Sequence, residues 1–264
     1  MTQETLDKLT LLQDSLNELI TPNWKENRTE LDFMIASTQE MAELIDSEFS
    51  ETVTIDGKQK TIKHNTGWKW WKGKSGDITT DSVKWEDLHP AVIANIKIEL
   101  TDLLFFTLSQ KGLGDMSDPL GDVELNTNDW INFVTISAYN LLQQPGNALK
   151  LVLLLAEKMD FNISAYYVAK HTLNHIRQLN GYKDGSYVKV NDGVEDNELL
   201  HIIIDGITIS DMEEDFNTVS DKIIAGVYDT FKVDETDRMN IMKWAELIVD
   251  TMPTDALIPE IKEV

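Results

Sequence analysis

Two pairs of acidic residues have the spacing of metal ligands on helices. Glu40 and Glu43 are three residues apart, as are Glu99 and Asp102. Residues at this spacing share one face of an α-helix, and apolar neighbours that should be buried flank both pairs. Because buried unpaired carboxylates are costly, a hard divalent cation between two facing helices is their natural ligand. The simpler alternative is that each pair belongs to the solvated face of a very acidic chain.

A second group of residues combines cations and tyrosines around two glycines. Lys170, Asn174 and Arg177 follow the spacing i, i+4, i+7 on one helix face, and a glycine-containing loop with Tyr182, Lys183 and Lys189 follows. These cations could clamp a phosphate chain whose other side faces the metal. Alternatively, they complement the dipole at the end of a helix that stops in a glycine turn. The sequence alone leaves both interpretations open.

Three further patterns were weighed for chemistry. Residues 68–72 hold three tryptophans, and one of them, such as Trp71, is a candidate for stacking on a base or closing a pocket, although tryptophans are more often packing anchors. His171 and His175 have the spacing of a zinc helix, but Thr172 stands where the glutamate of that motif belongs, so we expect no zinc there. The acidic segment 184–198 does not fit an EF-hand loop.

Composition excludes several classes of protein. The chain has 264 residues, with 23 basic and 46 acidic residues, and its formal charge of −23 disfavours nucleic-acid binding driven by counterion release. The absence of cysteine excludes disulfides, cysteine nucleophiles and thiolate metal sites. The longest apolar run, residues 151–156, is too short to cross a bilayer, and the first residues lack the layout of a signal peptide. We therefore expect a soluble protein of the cytoplasm, or of the host cytoplasm if a phage encodes it, without membrane partners.

Helical periodicity covers most of the chain and predicts an all-α fold. A two-residue Asp56-Gly57 turn between 52–55 and 58–62 predicts one β-hairpin, within an insertion at 48–67. We expect one helical domain over 1–264, whose part after about residue 200 carries no recognised motif. The predicted helices are 6–20, 32–47, one from Pro90 through at least Phe106, 130–142 with a cap at Asn128 or Asp129, 147–160, 163–179, 195–207, 211–231 and 235–251.

Five motifs in a consistent order resemble those of one enzyme family, the dimeric all-α dUTPases of the all-α nucleoside triphosphate pyrophosphatase superfamily. They lie at 12–17 (LQDSLN), 40–47 (EMAELIDS), 68–72 (WKWWK), 98–102 (IELTD) and 170–189. The chain departs from the family at 48–67, where the hairpin insertion separates the second and third motifs. The resemblance implies a helical bundle of this superfamily, formation of a homodimer, and deoxyuridine nucleotides as ligands.

The resemblance also implies an activity and a set of site residues. The activity is Mg²⁺-dependent hydrolysis of dUTP, and also of dUDP, to dUMP, in which a water held by the metal attacks the phosphate chain and dUTP releases pyrophosphate. Glu40, Glu43, Glu99 and Asp102 would hold Mg²⁺, with one of the first two also orienting the water. Gln13 and Asn17 would read the uracil, Asn174 would hold the deoxyribose, and the phosphates would meet Lys170, Arg177, Tyr182, Lys183 and Lys189. Weaker candidates are Lys69 and Lys72 for phosphate and Trp71 for the base.

Two other functions stay open at this stage. A dCTP or broader deoxynucleotide pyrophosphatase is one, because the side-chain amides of Gln13 and Asn17 can pair with either pyrimidine by reversing their donor and acceptor ends. The other is a helical interaction protein that binds a protein partner through the 48–67 insertion.

Overall fold

The computed structural model describes residues 1–66, 85–113, 148–191, 193–207 and 216–241, and 70% of these are helical. A small two-stranded antiparallel sheet accompanies the helices, which agrees with the predicted all-α fold with a hairpin. None of the described helices is both long and apolar enough to cross a membrane. The elements are α1 (Gln3–Ile20), α2 (Trp24–Asn27), α3 (Glu30–Ile45), β1 (Glu48–Ile55), β2 (Lys58–Asn65), α4 (Pro90–Leu113), α5 (Ala148–Lys158), α6 (Ile163–Leu179), β3 (Val190–Asn191), β4 (Val194–Glu195), α7 (Asp196–Asp205) and α8 (Phe216–Thr230).

Helix α4 is the centre of the described bundle. It packs against α1, α3, α5, α6 and α7, and its apolar residues face several of these neighbours at once. A helix that is apolar on all sides is buried on all sides, which explains why its pattern lacks a polar face. Most of its buried side chains join one cluster with α1, α3 and α5, whereas Ile98 joins a second cluster with α6, α7 and α8.

Local sequence fixes where the helices that matter for the site begin. The carboxylate of Asp32 accepts a hydrogen bond from the backbone N–H of Thr29 at 2.8 Å, half of the capping box that opens α3. The side chain of Asn162 accepts from the backbone N–H of Ala165 at 3.2 Å and caps α6. Helix α6 spans the predicted 163–179, so the cap and the apolar period together define it.

The hairpin of β1 and β2 confirms the predicted turn. Asp56 and Gly57 both have positive φ, 51° and 73°, as a two-residue turn of this hand requires. The strands are longer than predicted because the backbone pairing continues through polar residues that carry no apolar alternation. On each strand alternate side chains are half-buried, and the face they form consists of Phe49, Glu51, Val53, Ile62 and His64.

Several element predictions needed correction. Helix α4 continues to Leu113, beyond Phe106, the last apolar residue that the pattern assigned to it, because its buried surface carries no stop signal. Ala42, expected to be buried beside the acidic pair, is exposed. The short helix α2 and the β3–β4 ladder were not predicted. The predicted helix at 130–142 and parts of 211–231 and 235–251 lie outside the described residues.

Candidate metal centre

Three of the four predicted metal ligands meet between α3 and α4. One carboxylate oxygen from each of Glu40, Glu43 and Glu99 lies within 4.8 Å of the other two. The i, i+3 spacing puts the first two on one face of α3, and α4 presents Glu99 to that face. Among the described residues, no Lys, Arg or His forms an ion pair with any of the three. Within the described part of the chain, the carboxylate of Glu43 accepts a neutral hydrogen bond, from the amide of Gln39 at 3.0 Å.

This crowding of like charges changes the proton affinity of the cluster. Burial raises the pKa of Glu40 to about 8, and the nearby charges of Asp102, Glu43 and Glu99 add to the effect. Burial and the charge of Asp102 raise the pKa of Glu99 to about 7. Near neutral pH the cluster therefore retains protons that a divalent cation would displace, since both compete for the same carboxylate oxygens.

Asp102, the fourth predicted ligand, has a cationic partner of its own. Its carboxylate accepts a hydrogen bond from Nζ of Lys170 at 2.8 Å. Lys170 is 2% exposed, and its Nζ also donates to the side-chain oxygen of Asn197 at 2.9 Å. The structure thus places a predicted phosphate ligand against a predicted metal ligand, at the edge of the acidic cluster.

Arg177, the other buried cation predicted to bind phosphate, is held by Asp196. Two hydrogen bonds form a fork, from Nε at 2.9 Å and from Nη2 at 2.6 Å. Arg177 also donates to Asn197 at 3.0 Å and to Asn174 at 3.2 Å. The hydroxyl of Tyr187 donates to Asp196 at 3.1 Å, and burial together with the charge of Asp196 raises the pKa of Tyr187 to about 12. Lys170, Arg177, Asp102, Asp196 and Asn197 form one paired cation network.

The remaining predicted phosphate ligands lie on the loop that follows α6. Tyr182 is 40% exposed, and its ring lies 5.7 Å from the guanidinium of Arg177 and 5.5 Å from Nζ of Lys189. Lys183 instead donates to the backbone carbonyl of Ile20 at 3.2 Å, at the end of α1. The loop therefore brings Tyr182 and Lys189 to the cation network, while the contact of Lys183 is with α1.

A glycine turn directs this loop. Gly181 has a φ of +86°, and a Cβ placed on it would lie 1.9 Å from Oγ of Ser186. The backbone N–H of Ser186 donates to the carbonyl of Gly181 at 3.0 Å and closes the turn. Gly185 also has a positive φ, +79°, but the space around it is open. The turn sends the chain back along α6, so that Tyr187 reaches Asp196.

The two predicted base-reading amides form a buried chain of hydrogen bonds. Gln13 donates to the side-chain oxygen of Asn17 at 2.8 Å, and Asn17 donates to Oγ of Ser109 at 2.9 Å. The hydroxyl of Tyr167 donates to the oxygen of Gln13 at 2.9 Å. These hydrogen bonds join α1 to α4 and α6. In each of the two amides, both the nitrogen and the oxygen already take part in a hydrogen bond.

The histidine pair of α6 is part of the packed interior. His171 donates from Nε2 to the backbone carbonyl of Leu12 at 2.8 Å, and burial lowers its pKa to about 4. Burial, with the nearby His171, also lowers the pKa of His175 well below its usual value. Neither belongs to a group of three potential metal ligands within the described ranges.

Sequence reasoning missed several residues that complete these contacts, and part of the predicted set cannot be placed. Lys69, Trp71 and Lys72 lie outside the described residues. The missed residues are Ser109, Tyr167, Tyr187, Asp196 and Asn197. A usable signal exists for the last two, because buried cations on α6 require anionic or polar partners and residues 195–197 supply them.

Comparison with known proteins does not identify a family, since no protein-family model and no curated protein matches this chain. Function is therefore inferred from the geometry described above and from the motifs in the sequence.

Proposed function

We propose that the protein is a Mg²⁺-dependent pyrophosphohydrolase that converts dUTP, and also dUDP, to dUMP. The observation that carries this proposal is the convergence of Glu40, Glu43 and Glu99 from two helices, with carboxylate oxygens within 4.8 Å and no cationic partner among the described residues. The proposed substrate comes from the ordered motifs that resemble those of the dimeric all-α dUTPases. The largely helical fold is compatible with that resemblance.

The donor set fits magnesium. Three carboxylates offer only oxygen atoms, which hard cations prefer. Burial, with the charges of neighbouring carboxylates, raises the pKa values of Glu40 and Glu99, and a bound cation would offset this cost of ionisation. Bound there, Mg²⁺ would neutralise phosphate charge and acidify a water molecule. Glu40, Glu43 and Glu99 would hold it, with Asp102 as a fourth ligand, and Glu40 or Glu43 would orient the attacking water.

Residues along helix α4 indicate how the substrate would be oriented. Asn17 contacts Ser109 on α4, and Asp102 lies seven residues earlier on the same helix. Seven residues correspond to about 10 Å along a helix axis, close to two full turns, so both residues lie on one face. Gln13 and Asn17 would then read the base at one end of this face, while the carboxylates engage the phosphate chain at the other.

Charge exchange explains how buried cations would come to hold phosphates. Lys170 is neutralised by Asp102, which is itself a candidate metal ligand. When the nucleotide arrives with its cation, Asp102 would turn to the metal and Lys170 would turn to a phosphate oxygen. Arg177, Tyr182 and Lys189 are contiguous with Lys170 through Asn197 and the cation–π contacts, so they extend the phosphate-binding surface.

A homodimer is the assembly that this proposal includes. Leu31 and Ile35 lie one turn apart on α3 and are 61% and 63% exposed, so they place two large apolar side chains next to each other on its outer face. The leucines of α1 that face inward are already buried in the chain's own core. The exposed side of α3 is therefore the apolar surface that a second copy would cover.

Turnover of a panel of nucleotides tests the function. Purified protein is assayed for pyrophosphate and phosphate release from dUTP, dUDP, dCTP and dTTP, with Mg²⁺ or with EDTA. We expect Mg²⁺-dependent turnover that favours dUTP over dCTP and dTTP. Glu43→Gln should lower kcat by about 100-fold or more, because a metal ligand that also helps position the water is lost.

The matched control is Glu30→Gln, which changes an exposed glutamate of the same helix outside the cluster and should leave kcat unchanged. Equal use of dCTP would keep the chemistry and replace the uracil assignment by the broader deoxynucleotide pyrophosphatase. Failure of folded protein to hydrolyse any nucleotide, or full activity of Glu43→Gln, would overturn the enzyme proposal. A protein that binds partners through the hairpin insertion would then be the function to pursue.

A further inference from the structure

A second group of potential metal ligands lies at the base of the hairpin, apart from the acidic cluster. Glu51 of β1, His64 of β2 and His89, which directly precedes α4, each contribute one ligand atom, and the three atoms lie within 4.8 Å of one another. All three side chains are half-buried. Two of the chain's five histidines thus meet a carboxylate at the point where the insertion contacts the bundle.

Strand register explains why these residues share one face. Phe49 pairs with His64 across the ladder, and Glu51 lies two residues from Phe49, hence on the same side of β1. His64 and Glu51 are diagonal neighbours, and Nε2 of His64 lies 2.9 Å from Oε1 of Glu51. This face of β1 is turned towards α4, whose first turn follows His89.

Aromatic stacking holds the two imidazoles in place. The rings of His64 and His89 are stacked with centroids 4.0 Å apart, and Phe49 stacks on His89 at 5.5 Å. The phenyl ring thereby covers one side of the histidine pair with apolar surface. Such an apolar shell reduces the access of water and restricts the orientations of the ligands.

We propose that Glu51, His64 and His89 bind a divalent transition-metal ion of the zinc class. Two imidazoles and one carboxylate are a ligand set that zinc accepts with water in the remaining position, whereas Mg²⁺ prefers oxygen ligands alone. Zinc–ligand bonds of about 2.0–2.2 Å place tetrahedral ligand atoms roughly 3.4 Å apart, so the contact between Glu51 and His64 is already close enough. The widest separation, at most 4.8 Å, closes by rotation of the side chains.

Binding would exchange one local hydrogen bond. Nδ1 of His89 accepts from the backbone N–H of Ala91 at 3.2 Å, which puts the proton of the neutral ring on Nε2. Coordination through either nitrogen ends this arrangement, because Nε2 must lose its proton to Nδ1 or Nδ1 must give its lone pair to the metal. The Ala91 amide, at the start of α4, is therefore a reporter of metal binding.

The bound ion would fasten the insertion to the helix that carries the acidic cluster. It would add three metal–ligand bonds between β1, β2 and the segment before α4, where His89 meets the paired strands through ring stacking on His64 and Phe49. The site differs from the acidic cluster in both location and ligand type. It is therefore independent of whether the protein hydrolyses nucleotides.

Zinc titration of the metal-stripped full chain in excess Mg²⁺ tests the proposal. Calorimetry should give one Zn²⁺ per chain, and Co²⁺ as a substitute should give the visible absorption of a site with nitrogen ligands. Long-range nitrogen spectra should show shifted ring signals for His64 and His89, together with a shifted Ala91 amide. His64→Asn, His89→Asn and Glu51→Gln should each weaken Zn²⁺ binding by at least about 10-fold.

Two controls assign the result. His201→Asn removes a half-buried histidine elsewhere and should leave Zn²⁺ affinity unchanged, as should Glu43→Gln in the acidic cluster. Circular dichroism and thermal unfolding without metal verify that the hairpin variants are folded. Unchanged Zn²⁺ affinity in folded His64→Asn and His89→Asn, loss of binding in Glu43→Gln alone, or no Zn²⁺ binding by the parent chain would each overturn the proposal.

Discussion

The acidic cluster and the paired cation network are adjacent, but they differ in whether their charges have partners of opposite sign. In the cluster, Glu40, Glu43 and Glu99 face one another, and none of them forms an ion pair with a described Lys, Arg or His. Burial and the charges of neighbouring carboxylates raise the pKa of Glu40 to about 8. In the network, Lys170 and Arg177 are each matched by a carboxylate at hydrogen-bonding distance. The cluster can bind a cation without losing an ion pair, whereas the network must break an internal ion pair before it can bind an anion.

This difference determines what each region must do before it can bind a charged ligand. A group whose charge is unmatched gains stability when a ligand of opposite charge arrives, whereas a matched pair gains nothing unless the pair is first broken. Asp102 belongs to both regions, because its charge raises the pKa of Glu40 while its carboxylate pairs with Lys170. Cation binding to the acidic cluster would therefore affect the cation network through Asp102.

Breaking the network should have the largest effect on stability. Asp196→Asn removes the charge that neutralises Arg177 but keeps the shape of the side chain. Because both partners are buried, with side chains 6% and 0% exposed, the variant leaves a buried guanidinium without its counter-charge. We expect a loss of about 3–5 kcal/mol in the free energy of unfolding, measured by denaturant titration.

The matched control is Asp229→Asn, whose partner Arg238 forms an exposed pair at 3.0 Å. Exposed pairs contribute little, so the change should stay within about 1 kcal/mol. Equal effects of the two substitutions would contradict the distinction between buried and exposed pairs on which the comparison depends.

The pH dependence of the metal-free protein should show the next largest effect. The pKa of Glu40 is raised from 4.5 to about 8 on folding, so the folded state binds its proton more tightly than the unfolded state. The stability contributed by that proton is complete below about pH 4.5 and is lost as pH rises through 8. Allowing for solvent screening, we expect a loss of about 2 kcal/mol in EDTA, or roughly 4–8 °C in Tm.

Glu40→Gln isolates this effect from other titrating groups. The amide stays neutral, so in EDTA the variant and the parent should agree near pH 4.5, and the variant should be more stable near pH 8.5. Mg²⁺ should stabilise the parent at the higher pH and the variant much less. Parallel stability curves for the two proteins across this pH range would contradict the proposed ionisation.

The smallest expected effect concerns the residue that bridges the two cations. The side-chain oxygen of Asn197 accepts from both Lys170 and Arg177, at 2.9 and 3.0 Å. Asn197→Ala removes these two bonds but leaves both ion pairs intact, so the loss should be about 1–2 kcal/mol, less than for Asp196→Asn. Thermal unfolding measures it, and a loss as large as that of Asp196→Asn would make the amide, not the carboxylate, the main partner.

Much of the fold could be predicted because its signals are local. Helix α6 combines an asparagine cap with an uninterrupted apolar period, and its predicted range was confirmed. The hairpin turn was predicted from Asp56 and Gly57, but the full strands were not, since backbone pairing in their polar halves leaves no pattern in the sequence. The end of α4 was missed for a related reason, because a helix buried on all sides shows no periodic contrast.

The sequence predicted those parts of the site that depend on the spacing of residues along one helix. Spacing i, i+3 predicted that Glu40, Glu43, Glu99 and Asp102 converge, and the structure groups the first three as potential metal ligands. It did not reveal that Asp102 pairs with Lys170, nor that Asp196 holds Arg177, because these partners are 68 and 19 residues apart and lie on different elements, which spacing along one helix does not relate. Which charge neutralises which is decided by tertiary packing.

The turn after α6 also limits the evolutionary freedom of the chain. At Gly185 only the backbone angle is constrained, so asparagine or aspartate, which tolerate positive φ, are acceptable replacements. At Gly181 the angle and the space are both constrained, since any side chain would collide with Ser186. A new residue at 181 would therefore need the hydroxyl of Ser186 to rotate away or a smaller residue at 186, so substitutions at these two positions are not independent.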